Sequence, residues 1–433
     1  MEQEIRELKR QRELDRETAQ IKASSAAAKP VPVAKAGADG FSLQSADGNF
    51  VLRVKGYVQT DARFYLADSA HNGTDSFLVR RARPIIEGAL FHDFEYRLML
   101  DAGSGQGLLQ DAFVEWKYWP AAKLRVGKFK PPVGLEQLQS DAMLFFIERG
   151  LPSALLPNRD VGVQLSGELL GGVVSYAGGV FNGTVDGAST DVDVTDSKEG
   201  AARIFLQPFK TLDAPALRGF GAGFGGSVGN KQSTGTTTNL PSYKSTGQNT
   251  FFSFSKGVAL DGVEVRGTPQ AFYYVGPVGL YGEYAWADQE VRRGALLDHA
   301  RSTAWQVQAS VVLTGERATY NGVTPERPFD PGAGDWGAWE LVARYGELRI
   351  GPTVFSTDPT PTGQRFADPT KSAQEARYWG VGVNWYLNRV FKLALDYEQT
   401  DFDGGAGTTG ATTFTIRNRQ TERALFSRMQ MTF

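Results

Sequence analysis

Apolar and polar residues alternate along most of this chain, and the alternation is clearest from Phe50 onward. One face of that stretch carries Leu52, Val54, Gly56 and Val58, and the other carries Arg53, Lys55, Tyr57, Gln59, Asp61 and Arg63. A period of two residues belongs to a β-strand, whose side chains point to opposite faces in turn. About sixteen such segments follow one another, near 50–65, 77–90, 94–101, 108–119, 124–130, 161–170, 173–182, 200–207, 217–230, 263–275, 278–291, 300–313, 337–350, 377–387, 390–400 and 421–433. Most approach the ~10 residues with which a tilted strand crosses a bilayer. A single half-apolar strand fits a soluble sandwich as well as a membrane wall. The number and length of the segments favour the wall, with lipid outside and a polar lumen inside. Residues 251–254 would add a seventeenth segment and are assigned to a loop, because bacterial barrels have even strand counts.

The connections alternate in length. Residues 91–93, 120–122, 171–172, 276–277 and 387–389 are tight, whereas 66–76, 131–160, 183–199, 231–262, 351–376 and 401–420 are long. Short turns at one end and long loops at the other are the pattern of an outer-membrane barrel, the short turns being periplasmic. Two connections fit poorly, since 208–216 and especially 314–336 are long where turns are expected. In the last segment Phe433, Met431, Met429, Ser427 and Leu425 share a face, a terminal aromatic with apolar residues at alternate positions. Trp116, Tyr118, Trp119, Trp379, Trp385 and Tyr386 sit near segment ends, as interfacial girdles require. The expected fold is an all-β transmembrane antiparallel barrel over 41–433. A short N-terminal helix over 1–22 and an Ala/Pro/Gly linker over 23–40 precede it. A three-stranded coiled coil is an alternative for this helix, against which Arg12 and Asp15 occupy seam positions that would need to be apolar.

Composition narrows the partners. With 46 basic and 48 acidic residues the net charge is -2, which favours neither nucleic acid nor an acidic tail. Any basic site must therefore come from arrangement. The chain has no cysteine, which removes disulfides, thiolate metal sites and a Cys nucleophile. No run of 18 apolar residues predicts a membrane helix. Residues 1–4 show neither the basic start nor the apolar run of a signal peptide, so an exported protein is expected here in mature form.

The longest connection within the first half, 131–160, is also the most unusual. Pro131 and Pro132 stop the preceding strand because neither offers an N–H to the ladder. The stretch then contains Met143-Leu144-Phe145-Phe146-Ile147, too apolar for a purely solvated loop. Connections of this length are usually functional. With both termini periplasmic, it becomes the third extracellular loop, free to fold inside the barrel and narrow it.

Specific stretches then carry a resemblance. FLVRRARPIIEGALFHDFEYRLMLD (77–101), QDAFVEWKY (110–118), LRVGKFKPPVGLEQLQSDAMLFFIERGLPSALLPNRDVGVQLSG (124–167), YAGGVFNGT (176–184), RPFDPGAGDWGAWELVARYGEL (327–348) and WGVGVNWYLNRVFKLALDYEQTDF (379–402) resemble the phosphate- and polyphosphate-selective O/P porins of Gram-negative outer membranes. The resemblance implies a trimeric sixteen-stranded porin in outer-membrane lipid, a constricting third loop and a basic lumen that passes phosphate or polyphosphate. Anion selection needs fixed cations where water is scarce, Arg for paired hydrogen bonds to phosphate and Lys as a mobile charge. Parity places Arg53, Lys55 and Arg63 on the inner face of the first strand, and Arg81 and Arg83 on that of the second. Arg80 has the opposite parity and needs a bulge or a position above the membrane to take part. The Arg80–Arg83 run resembles the family's arginine-bearing strand. Arg203 and Arg344 point inward by parity, and Lys128, Lys130, Arg149 and Arg159 belong to the shoulders and body of the loop. Asp61, Glu87, Asp101, Asp111 and Glu398 share the inner faces, so some pairs are expected to be ladders that stiffen the wall.

Other chemistry is set aside. Gly225-Gly226-Ser227-Val228-Gly229 matches a nucleophile elbow, but no helix follows it. His71, His92 and His299 lack metal-ligand spacing, and Asp191, Asp193 and Asp196 lack the glycine and glutamate of an EF-hand. No cofactor, metal or enzyme activity is expected. Two alternatives to the anion channel are a general or organic-solute porin of the same fold and a barrel whose N-terminus tethers the envelope.

Overall fold

The computed structural model describes residues 1–433 apart from 27–30, 67–72, 106–107, 190–195, 234–239, 356–365 and 410–413. Its body is a barrel of β1 (Phe50–Tyr65), β2 (Ser76–Leu90), β3 (Phe94–Asp101), β4 (Leu108–Trp119), β5 (Ala122–Phe129), β6 (Asp160–Leu169), β7 (Val174–Phe181) and β8 (Glu199–Leu206). It continues through β9 (Phe220–Gln232), β10 (Val258–Val275), β11 (Val278–Arg293), β12 (Leu296–Val312), β13 (Ala338–Ile350), β14 (Ala373–Tyr386), β15 (Phe391–Thr409) and β16 (Glu422–Thr432). Every strand pairs antiparallel with its successor, and β16 returns to β1 with Ala424 opposite Tyr65 and Thr432 opposite Tyr57. Each expected segment is a barrel strand. The boundaries moved most where strands outrun the bilayer, as in β15, whose upper end pairs with Phe414–Asn418 above the wall.

Burial follows the pleat. On β1, Leu52, Val54 and Phe64 are exposed on the outside while Tyr57, Gln59, Asp61 and Arg63 are buried inside. Val126, Val163, Leu165, Val180, Ile204, Val307, Val381 and Met429 continue the exposed apolar band around the wall. Apolar outside and charged inside inverts the soluble arrangement, and only lipid makes the outer face favourable. No helix among the described residues is long and apolar enough to cross a membrane. Aromatic pairs flank the band, Trp339 stacked on Trp385 at 4.8 Å and Tyr118 edge-on to Trp119 at 5.1 Å on one rim, Trp305 with Tyr345 at 5.5 Å towards the other.

The helix α1 runs Glu2–Ala26, longer than the expected 1–22. Of the stretch expected as linker, 27–30 lie outside the described residues, and Val33–Gly37 pairs with Gly40–Gln44 as a hairpin. Phe41–Gln44 then pair with Val51–Val54 of β1, below the point where β16 ends.

Among the described residues, the connection between β7 and β8 enters the barrel through Asp186, which accepts from Arg266 of β10 at 2.7 Å. Three others also enter it. Residues 131–160 are the first. A second, between β9 and β10, contains the small hairpin Ser242–Lys244 and Thr250–Ser253. Its backbone reaches across to β1 and β16, where Ser245 Oγ and Asn249 Nδ2 donate to Glu422 at 2.6 and 2.5 Å and Tyr65 donates to the Gly247 carbonyl at 2.7 Å. The third is the over-long periplasmic connection between β12 and β13, which turns back upward. Tyr320 Oη donates to the Leu135 carbonyl at 2.5 Å, and Gln139 Nε2 donates to the Tyr320 carbonyl at 2.6 Å. Its excess length serves this return into the lumen.

Candidate functional site

The loop 131–160 starts where Pro131 and Pro132 end β5 and makes a short α-helix, α2 (Leu135–Leu138), and a 3-10 turn over Leu151–Leu155. Its apolar residues hold it inside. Val133, Leu135, Leu144, Phe145, Phe146, Ile147, Leu151, Leu155 and Leu156 are all buried. Burying a side chain of this size stabilises by about 1.5–3 kcal/mol. Gly225 on β9 makes room for the entry, since a Cβ there would stand 2.2 Å from the Val133 carbonyl oxygen.

Polar wall groups then satisfy the loop backbone, as a segment shielded from water requires. The Gln270 amide donates to the Val133 carbonyl at 2.9 Å, and Leu135 N–H donates to Glu283 at 2.7 Å. Gln306 and Gln308 donate to Glu136, each at 2.9 Å. Asn384 donates to the Phe145 carbonyl at 2.8 Å, Ile147 N–H to Asp396 at 2.6 Å, Arg428 to the Ile147 carbonyl at 2.6 Å, and Arg344 to the Glu148 carbonyl at 2.8 Å. The loop thus leaves β5 and lies along β10 to β16 on the far wall.

Opposite it stands the arginine run of β2. Gln59 of β1 pairs with Arg81 while Thr60 pairs with Val79, so Arg80 is the extra residue of a β-bulge. The bulge resolves the parity conflict, turning Arg80 inward beside Arg81 and Arg83. Two loop carboxylates meet the run. Glu148 accepts from Arg80 Nε at 2.6 Å, Arg63 Nη2 at 2.7 Å and Arg81 Nη2 at 3.4 Å, with Arg428 Nη2 at 3.5 Å. Asp141 accepts short bonds from Arg83 and Arg149 and lies 3.3 Å from Arg81 Nη2. Burial by itself would raise the Glu148 carboxyl, but Arg80, Arg81, Arg428 and Arg63 outweigh it and hold it well below the usual range. Asp141 is likewise raised by burial and held well below that range by Arg149, Arg81 and Arg83. Both carboxylates are fixed charges.

Beside these pairs lies a cavity of 640 Å³ lined by Arg80, Arg81, Arg83, Lys128, Arg149 and Arg159 together with Asp101, Asp141, Glu148 and Asp186. The other basic residues are distributed around it. Arg159 pairs with Asp111 at 2.8 Å, Lys128 Nζ donates to the Leu109 carbonyl at 2.7 Å, and Lys130 Nζ donates to the Gln139 carbonyl at 2.9 Å. Arg344 pairs with Glu398 at 2.6 Å and lies over the Phe146 ring at 4.3 Å, bracing the loop. Lys55 pairs with Glu87 at 2.8 Å near the periplasmic end, and Arg53 lies lower still on the same face of β1. Arg203 lies on β8 and donates to Gln270 at 2.9 Å. The structure therefore brings Arg63, Arg80, Arg81, Arg83, Lys128, Lys130, Arg149 and Arg159 around the constriction and leaves Arg53, Lys55, Arg203 and Arg344 apart from the cavity.

Sequence reasoning missed Asp141, Glu148 and Arg428. The signal for the two acids was present: Ser140-Asp141-Ala142 and Ile147-Glu148-Arg149 are isolated carboxylates in an apolar loop that must enter a basic lumen. Arg428 shares the inner parity of β16 with Phe426 and Gln430.

Comparison with known proteins gives consistent neighbours. The family model for phosphate-selective porin O and P matches residues 52–430. Porin O of Pseudomonas aeruginosa is 24% identical over 413 residues, covering 84% of this chain and 86% of that protein. Among solved structures, an anion-selective porin from Comamonas acidovorans aligns at a TM-score of 0.55 and 11% identity, over 89% of this chain and 100% of that one. The trimer form of OmpT, an outer-membrane protein of Vibrio cholerae, aligns at 0.54 and 11% identity, over 89% and 99%.

Proposed function

Because the chain belongs to the phosphate-selective porin O and P family, an outer-membrane family of channels, we propose that it passes small anions by diffusion, phosphate or polyphosphate foremost. Selection is by the basic residues of the lumen and the constriction loop. The observation that carries this reading is the convergence of Arg80, Arg81, Arg83, Lys128, Arg149 and Arg159 on one cavity beside the loop. Arginine forks there can take the paired bonds of a phosphate, while neighbouring sites of similar strength let the ion leave. The trimer form of one structural neighbour supports a homotrimer in outer-membrane lipid.

The test is planar-bilayer recording in a KCl gradient with added phosphate. The reversal potential is expected on the anion side, phosphate is expected to block chloride current, and Lys130→Ala is expected to weaken that block severalfold. A reversal potential on the cation side would sink the proposal. Asp141 and Glu148 favour a second reading, a less selective porin for general or organic solutes, because they offset part of the cationic charge. Liposome swelling in neutral sugars separates the two, being fast only for the general porin.

A further inference from the structure

Arg203 differs from the cations of the constriction. Arg63, Arg80, Arg81, Arg83, Arg159 and Arg344 all contact a carboxylate, whereas Arg203 has none within ion-pairing distance among the described residues. Its Nε donates to Gln270 Oε1 at 2.9 Å, and Gln270 is itself held by the Val133 and Thr268 carbonyls. That fixes the guanidinium while both Nη atoms remain without a described partner. Its cross-strand neighbours are Gly225 on β9 and Ala177 on β7, so neither directly opposed residue carries a large side chain.

An aromatic shelf adjoins this guanidinium. Arg203 lies over the Phe205 ring at 4.4 Å. Phe205 contacts Phe272 at 5.1 Å, and Phe272 stacks on Tyr320 at 5.8 Å and 27°. Phe272 also touches Tyr274 at 5.3 Å. Phe205 is buried, and Phe272, Tyr274 and Tyr320 are half-buried against the cluster that holds Leu135, Phe145 and Phe146, so each of these three keeps part of its surface exposed. Since β8 and β10 run downward, Phe205 and Phe272 lie on the periplasmic side of Arg203.

We propose that Arg203 and the shelf of Phe205, Phe272 and Tyr320 form a binding site for aromatic anions on the periplasmic side of the constriction. The guanidinium takes the oxyanion head through its two Nη atoms and the shelf takes the ring. An inorganic oxyanion engages only the first half of this arrangement. The inference rests on the anion-channel reading, and its chemistry is that of an aryl phosphate or an aromatic carboxylate.

The experiment compares phenyl phosphate with inorganic phosphate as blockers of chloride current in bilayers, added to both sides, with phenol as a neutral control. Aromatic contacts are expected to lower the half-blocking concentration about five- to tenfold for phenyl phosphate relative to phosphate, with no block by phenol. Arg203→Gln is expected to abolish that ratio and Phe272→Leu to reduce it, each variant first checked for the heat-modifiable migration of a folded barrel. Equal block by the two ions in the wild type, or an undiminished ratio in Arg203→Gln, overturns the site. The reversal potential in KCl alone scores the anion-channel reading separately, so the two failures are distinct.

Discussion

Glu148 and Asp141 decide how much charge the constriction presents. Each is buried among arginines, and removing one partner of such a cluster typically costs about 3–5 kcal/mol. Glu148→Gln keeps a hydrogen-bond acceptor while deleting the charge facing Arg63, Arg80 and Arg81. It is expected to shift the reversal potential further to the anion side and to lower the thermal stability of the folded barrel. The pH dependence follows from the direction of the shifts. Both carboxyls are held below their unfolded values, so their stabilisation is present above the unfolded range and is lost only as pH falls through the depressed folded values. Selectivity due to this pair should therefore stay flat from pH 8 to about 5, since an ordinary carboxyl titrates near 4. A change in reversal potential within that window would count against fixed charges at these positions. At this scale parity in the sequence located Arg81 and Arg83, because the pleat fixes the face. The paired acids were hidden because a loop has no parity.

The constriction loop is clamped from two directions. Wall side chains hold its backbone from the side, and the connection between β12 and β13 holds it from the periplasm through Tyr320 and Leu135. Tyr320→Phe removes one hydrogen bond, worth about 0.5–1.5 kcal/mol. The expected outcome is an intact channel with more open-state current noise; an unchanged noise spectrum would mean that the wall contacts alone suffice. Pro131, Pro132 and the apolar run made this loop legible, since the first two end a ladder and the third seeks burial. The bulge at Arg80 was legible as a parity conflict but not as a position. For 314–336 only its excess length was visible. Nothing local announces that a chain turns back into a lumen, because its partners on β10 and in the loop lie far away in sequence.

The sixteen strands and their order follow from alternation, segment length and alternating connections, which together leave few ways to close a sheet. The N-terminal region was less legible, because helix and hairpin sit outside that repeat. Deletion of 1–26 is expected to leave single-channel conductance and heat-modifiable migration unchanged, since α1 precedes every residue paired into the wall. Loss of conductance would assign the helix a part in the channel, and loss of envelope attachment alone would favour the tether.

The hairpin before β1 has a different consequence. Val51–Val54 pair with β2 on one side, and β16 ends too soon to reach them on the other. Without Phe41–Gln44 this short length of β1 would present bare N–H and C=O groups to any passing strand. A barrel is secure against sticking to its neighbours only when its whole circumference is paired, and here the seam between first and last strands is completed by the chain that leads into it.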